Sequence, residues 1–215
     1  METPEYIYIV LVKALTGLGN FVRKLTKYDY THIAVSFDDT LTEFVSFSRR
    51  KHYEPLNSGI MREFRSCYAY GDNEKFRAKV FALPVEKDKM TKIKAMVNEI
   101  ENDKEYMFNL FSMVTMPVLH GFTIYKTHNC MTFVSLIVKE TDAVKMPKPY
   151  YKYSIPDLDT LLSDYLFFEG DLQKDGKNAE DYMTKPRFIH NVKTGCASVL
   201  KLFGRLSKRG DWIGK

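Results

Sequence analysis

At 215 residues, 45% hydrophobic and 27% charged, the chain has the material for one globular domain with an appended segment, which excludes a largely disordered protein. A net charge of +5 is mild, and the 14 Tyr and 15 Phe are not interleaved with a dense Lys/Arg stripe, so a nucleic-acid-binding role is not expected. Cys67, Cys130 and Cys196 have no repeated spacing, which excludes a disulfide framework and fits a reducing, cytoplasmic setting; the N-terminal apolar run has neither the flank of a signal peptide nor the length of a membrane span.

In chain order, Tyr6 to Val12 is rich in β-branched and aromatic residues and reads as a buried strand. Gly17 and Gly19 break it as a loop, since the third glycine of a phosphate-binding turn is missing, and a short helix is expected over Phe21 to Thr26. A hairpin follows: His32 to Phe37, a two-residue turn at Asp38-Asp39, then Leu41 to Phe47. Arg49 to Arg65, with Pro55, Asn57 and Gly59, reads as a long polar loop, and Lys79 to Leu83 as a strand. Met90, Ile93, Val97 and Ile100 recur at helical spacing within an amphipathic helix from Asp88 to Tyr106. Phe108 to Leu119 is apolar, with Pro117 expected to end or bend it. Further helices are expected over Cys130 to Glu140 and Asp157 to Tyr165. A first region spanning residues 1–170 would then give way to a basic, partly helical extension over residues 171–215. There Val199, Leu202, Phe203 and Leu206 recur at helical spacing. That tail suits contact with an anionic membrane or a partner, although a helix packed on the domain with a solvated basic face is the commoner outcome.

Two segments carry residues suited to chemistry. Asn129 is a favoured N-cap type, which puts Cys130 in the first turn of a helix whose apolar positions 133, 134, 137 and 138 lie on the same face. A helix N-terminus favours thiolate over thiol, and its free N–H groups can donate to an oxyanion. An inert core cysteine is the ordinary alternative. In the hairpin, a turn at Asp38-Asp39 places Ala34 opposite Glu43, so that His32 and Glu43 become diagonal neighbours on one face; a one-residue change of register would separate them. A carboxylate beside an imidazole fixes its tautomer and stabilises its charged form. His120, His128 and Cys130 do not make a four-ligand metal pattern, and Cys67 and Cys196 read as structural.

These pieces together resemble the permuted NlpC-type, papain-like family, which includes YiiX-like proteins and the lecithin retinol acyltransferase branch. Tyr30-Thr31-His32-Ile33-Ala34-Val35 is similar to that family's histidine strand, Leu41 to Phe47 to the next strand with its polar third member, and Asn129-Cys130-Met131-Thr132-Phe133-Val134 to the start of its nucleophile helix. Met131 departs from the usual small polar residue, and Glu43 stands where the acyltransferase branch has histidine, which suits the YiiX-like branch. The resemblance covers residues 5 to 170 and implies an α+β fold, with a small antiparallel sheet packed on the nucleophile helix. It implies a thiol hydrolase, peptidase- or amidase-like, in which Cys130 attacks an amide, ester or thioester, His32 is the base and Glu43 orients it, without cofactor or metal. The alternatives are a lipid acyltransferase or phospholipase of the lecithin retinol acyltransferase type, and a binding module that keeps the fold without turnover.

Overall fold

The computed structural model describes residues 4–15, 23–24, 27–54, 56–177 and 179–206. It is an α+β structure built on one six-stranded antiparallel sheet. The strands are β1 (Glu5–Val12), β2 (His32–Ser36), β3 (Phe44–Arg49), β4 (Ser58–Glu63), β5 (Lys75–Val85) and β8 (Leu166–Gln173), in the spatial order β4-β3-β2-β1-β5-β8. Two short strands, β6 (Met107–Phe108) and β7 (Thr127–His128), pair in parallel beside it. The described helices are α1 (Arg65–Tyr68), α2 (Lys87–Asn102), α3 (Leu110–Leu119), α4 (Cys130–Thr141), α5 (Ile155–Leu161), α6 (Glu180–Met183) and α7 (Phe188–Arg205).

β1 lies between β2 and β5 and is covered on both faces, which is why its sequence is an unbroken apolar run rather than an alternation. Ile7, Ile9 and Leu11 join Ile33 and Val35 of β2, Val45 and Phe47 of β3, and the inner sides of α2 and α4 in the larger core. Tyr8, Val10 and Val12 point the other way, into a second cluster with Ala34, Phe44 and Tyr68. The stripe expected on α2 is the buried one: Met90, Ile93, Val97 and Ile100. α3 runs on through position 117 to Leu119 and is closed by His120 in the left-handed conformation.

Three expectations need correction. The β2–β3 connection is not a two-residue turn: residues 37–43 form a loop organised by Asp38, whose carboxylate accepts from Ser36 Oγ, Thr40 Oγ1 and the Thr42 N–H. Val35 therefore pairs with Val45, a register displaced by three residues, and an odd displacement reverses which side chains face which way. Second, the polar stretch 49–65 is not all loop, because β4 lies within it. Third, the boundary at 170/171 falls inside β8, which pairs with β5 from Lys75↔Gln173 to Phe81↔Leu166. Residues beyond it are tied back to the body of the protein as well. The glycines at 17 and 19 lie outside the described residues, as does the short helix expected over 21–26 apart from Arg23 and Lys24, which are helical.

The tail's structural role is concentrated in Asp175. Its carboxylate accepts from the N–H of Arg65 and of Ser66, both at 3.2 Å, and from Ser66 Oγ at 2.6 Å, capping a helix distant in sequence. These bonds outweigh the effect of burial and hold the carboxyl below its ordinary range. Asp175→Ala should cost about 1–2 kcal/mol, the usual worth of a lost N-cap, measured as a lower urea midpoint. A tail that folds independently of the sheet would leave that midpoint unmoved.

Candidate active site

The site forms where the N-terminal end of α4 meets the end of the sheet. Asn129 caps the helix: its side chain accepts from Thr132 N–H while Thr132 Oγ1 accepts from Asn129 N–H, each at 2.9 Å. This reciprocal cap makes Cys130 the first helical residue. Phe133, Val134, Ile137 and Val138 are fully buried, so the expected apolar face fixes the helix on the sheet. Phe47 of β3 packs against both His128 and Phe133, with ring centroids 5.3 Å apart in each case. Continuing the Val35↔Val45 register puts Phe47 beside Ile33, one residue from His32. The helix tip is thereby brought to the start of β2.

There Cys130 lies beside the His32 ring, near enough to raise its basicity. The ring's Nε2 lies 3.0 Å from Glu63 Oε2. Exposure falls from 14% for the His32 side chain to 3% for that of Glu63, so the carboxylate is the innermost member. Glu63 is well supplied with donors. Oε2 also accepts from Ser46 Oγ at 2.5 Å and Tyr68 OH at 2.9 Å, and Oε1 from Ser48 Oγ at 2.8 Å. Four donors match the acceptor capacity of an ionised carboxylate, which is the condition for keeping one buried.

The electrostatics follow from that packing. Burial alone would raise the Glu63 carboxyl, but the charge and hydrogen bond of His32, with those of the two serines, bring it below its usual value. Burial alone would lower His32; the Glu63 carboxylate, then the hydrogen bond and charge of Cys130, overcome it and push the imidazole up to about 10. The charged form of the ring is thereby favoured beside the carboxylate. Tyr68, buried against the same carboxylate, is raised well above its ordinary range and stays a donor.

Glu43, the carboxylate expected beside His32, is elsewhere. It lies in the 37–43 loop, half exposed, and pairs with Arg62 Nη1 at 2.5 Å. Arg62 in turn forms a two-pronged contact with Glu101 of α2, at 2.8 and 2.7 Å. The shifted register turned Glu43 away and brought Ser46, on β3, and Glu63, on β4 opposite Phe44, to the face of His32. Ile60-Met61-Arg62-Glu63 has two apolar residues followed by two charged ones, so no apolar–polar alternation marks the strand. Nothing in the segment marks the glutamate as buried.

His128 is close in sequence to Cys130 but serves the packing. It stacks on Tyr106 with the rings 9° from parallel, and burial pushes it down to about 4, so it is neutral. His120 is exposed at the end of α3. Among the described residues no group of His, Cys, Asp or Glu is arranged to hold a metal ion, and no helix is long and apolar enough to cross a membrane. Cys67 is buried, which pushes its thiol up to about 12, and Cys196 is exposed on α7. Chemically, a sulfur at a helix N-terminus beside a carboxylate-backed imidazolium can add to a carbonyl and protonate what leaves. No family model, no curated protein and no solved structure matches this chain.

Proposed function

We propose that the protein is a cysteine hydrolase that cleaves an amide, ester or thioester bond on a permuted papain-like scaffold, with Cys130 as nucleophile, His32 as proton carrier and Glu63, in place of Glu43, as the group that orients it. The observation that carries this reading is the buried Glu63–His32–Cys130 chain, assembled from three separate elements. The antiparallel sheet with α4 packed across it agrees with the scaffold.

In the reacting pair the Cys130 proton is carried by His32, where Glu63 favours it, and the sulfur attacks the carbonyl carbon as a thiolate. The charge that develops on the carbonyl oxygen meets the N–H groups of Cys130 and Met131, which the helical pattern leaves without intrahelical partners. His32 donates its proton to the leaving group as the carbon–heteroatom bond breaks, leaving an acyl-thioester. The now neutral ring takes a proton from water, whose oxygen attacks the thioester; the C–S bond breaks and the thiolate–imidazolium pair is restored.

A carbonyl electrophile such as an acyloxymethyl ketone should label Cys130 at neutral pH and leave buried, high-pKa Cys67 untouched. Peptide mass spectrometry locates the adduct, and exposed Cys196 is the internal standard for ordinary thiol reactivity. His32→Ala should slow labelling of Cys130 without slowing that of Cys196. Cys130 reacting no faster than Cys196 would instead indicate a fold that binds without turnover.

A further inference from the structure

α7 is amphipathic with its apolar stripe turned outward. Its inner side is seated on the body of the protein: Gly195 is buried and approaches Leu56 so closely that a Cβ there would meet Leu56 Cδ1 at 2.6 Å, and Leu202 is buried. Ile189, Val192, Cys196, Leu200 and Phe203, at intervals of three, four, four and three residues, fall within one stripe of a 3.6-residue helix. All five are exposed. The stripe continues onto α3, because Phe203 meets Phe111 with ring centroids 4.8 Å apart, and Val114 and Val118 follow Phe111 at helical spacing. Across the two helices Ile189, Val192, Leu200, Phe203, Val114 and Val118 are 48% to 77% exposed, more contiguous apolar surface than scattered single residues explain.

The charges on the two helices have one sign. α7 carries Lys193, Lys201 and Arg205 and no acid, and α3 carries no charge. The carboxylates near its C-terminal end, Asp103 and Glu105, are both paired with Lys126. The sequence after α7 adds Lys208 and Arg209 and then Trp212 and Ile213, against the single acid Asp211. A second copy of the chain would set like charges against one another across such a face, whereas an anionic bilayer supplies both the opposite charge and an apolar layer. We propose that α3 and α7 form a docking face that lays the protein on an anionic membrane surface, the apolar stripe entering the acyl region and the lysines meeting the headgroups.

The full-length protein should co-sediment with vesicles of equal parts phosphatidylserine and phosphatidylcholine and remain in the supernatant with phosphatidylcholine alone, the binding weakening as salt is raised. Leu200→Glu, Val118→Glu on the other helix, and the double change Lys193→Glu/Lys201→Glu should each weaken it by about tenfold or more, with far-UV circular dichroism unchanged. Binding of equal strength by wild type and all three variants overturns the proposal, as does wild type left in the supernatant with both vesicles. A wild-type dimer that Leu200→Glu splits, with no vesicle binding, would assign the face to a second copy instead.

Discussion

Glu63→Ala should be among the most damaging single substitutions in this protein, costing about 3–5 kcal/mol of stability, because it strands a buried imidazolium and three hydroxyl donors at once. The carboxylate holds His32, Ser46, Ser48 and Tyr68 together across β2, β3, β4 and α1, so the loss is not confined to one contact. Glu63→Gln separates charge from shape. It keeps the volume but removes the charge that overcomes the burial of His32, so the ring's proton is no longer held and hydrolysis should fall by about a hundred- to ten-thousandfold. Glu43→Gln is the matched control. Glu43 is half exposed and its partner Arg62 is also anchored to Glu101, so its stability should change by less than about 1 kcal/mol and turnover not at all. Urea unfolding and turnover of an activated ester, measured on all three variants, give the comparison. If Glu43→Gln proved the crippled one and Glu63→Gln the silent one, the carboxylate assignment would be wrong.

That exchange of one glutamate for another shows what the sequence could and could not reveal. The Cys130 helix was legible because its signals are local: an N-cap residue, then apolar positions at helical intervals. β1 and α2 were legible for the same reason. The third member of the site depends on strand register, which is set by how the intervening loop folds. Ser36, Thr40 and Thr42 gathering on Asp38 make a loop that no dipeptide turn rule anticipates, and the resulting three-residue displacement was enough to reverse the faces. β4 was masked by the turn-forming residues that precede it, and β8 because an edge strand with Glu169 and Asp171 on it reads as polar tail. Those acids are in fact matched across the strand pair by Lys75, Arg77 and Lys79. The tail helix teaches a related lesson. Periodicity marked Val199, Leu202, Phe203 and Leu206 as helical, yet Leu202 is buried while Phe203 and Leu206 are exposed, and period alone does not say which side of a helix faces inward.

The buried pair also fixes how stability depends on pH. His32 is raised from 6.5 to about 10 in the folded protein, so folding binds a proton that the unfolded chain releases at lower pH. Its contribution is complete below pH 6.5 and is lost as pH rises toward 10. Glu63 is lowered from 4.5, so folding favours its ionised form; its contribution is complete above pH 4.5 and is lost as pH falls through the lower folded value. The two describe one ion pair seen from its two ends, which should be at full strength between pH 4.5 and 6.5, weaken gradually on the alkaline side, and collapse on the acid side only when the carboxylate is protonated. Urea midpoints measured from pH 3 to 10 on the wild type and on Glu63→Gln isolate this pair from the other titrating groups, since those contribute equally to both. The difference between the two proteins should be largest on the plateau from pH 4.5 to 6.5 and shrink toward both ends of the range. A difference that stayed constant across the range would mean that His32 and Glu63 are held as neutral groups, and His32 would then have no proton in reserve for a leaving group at neutral pH.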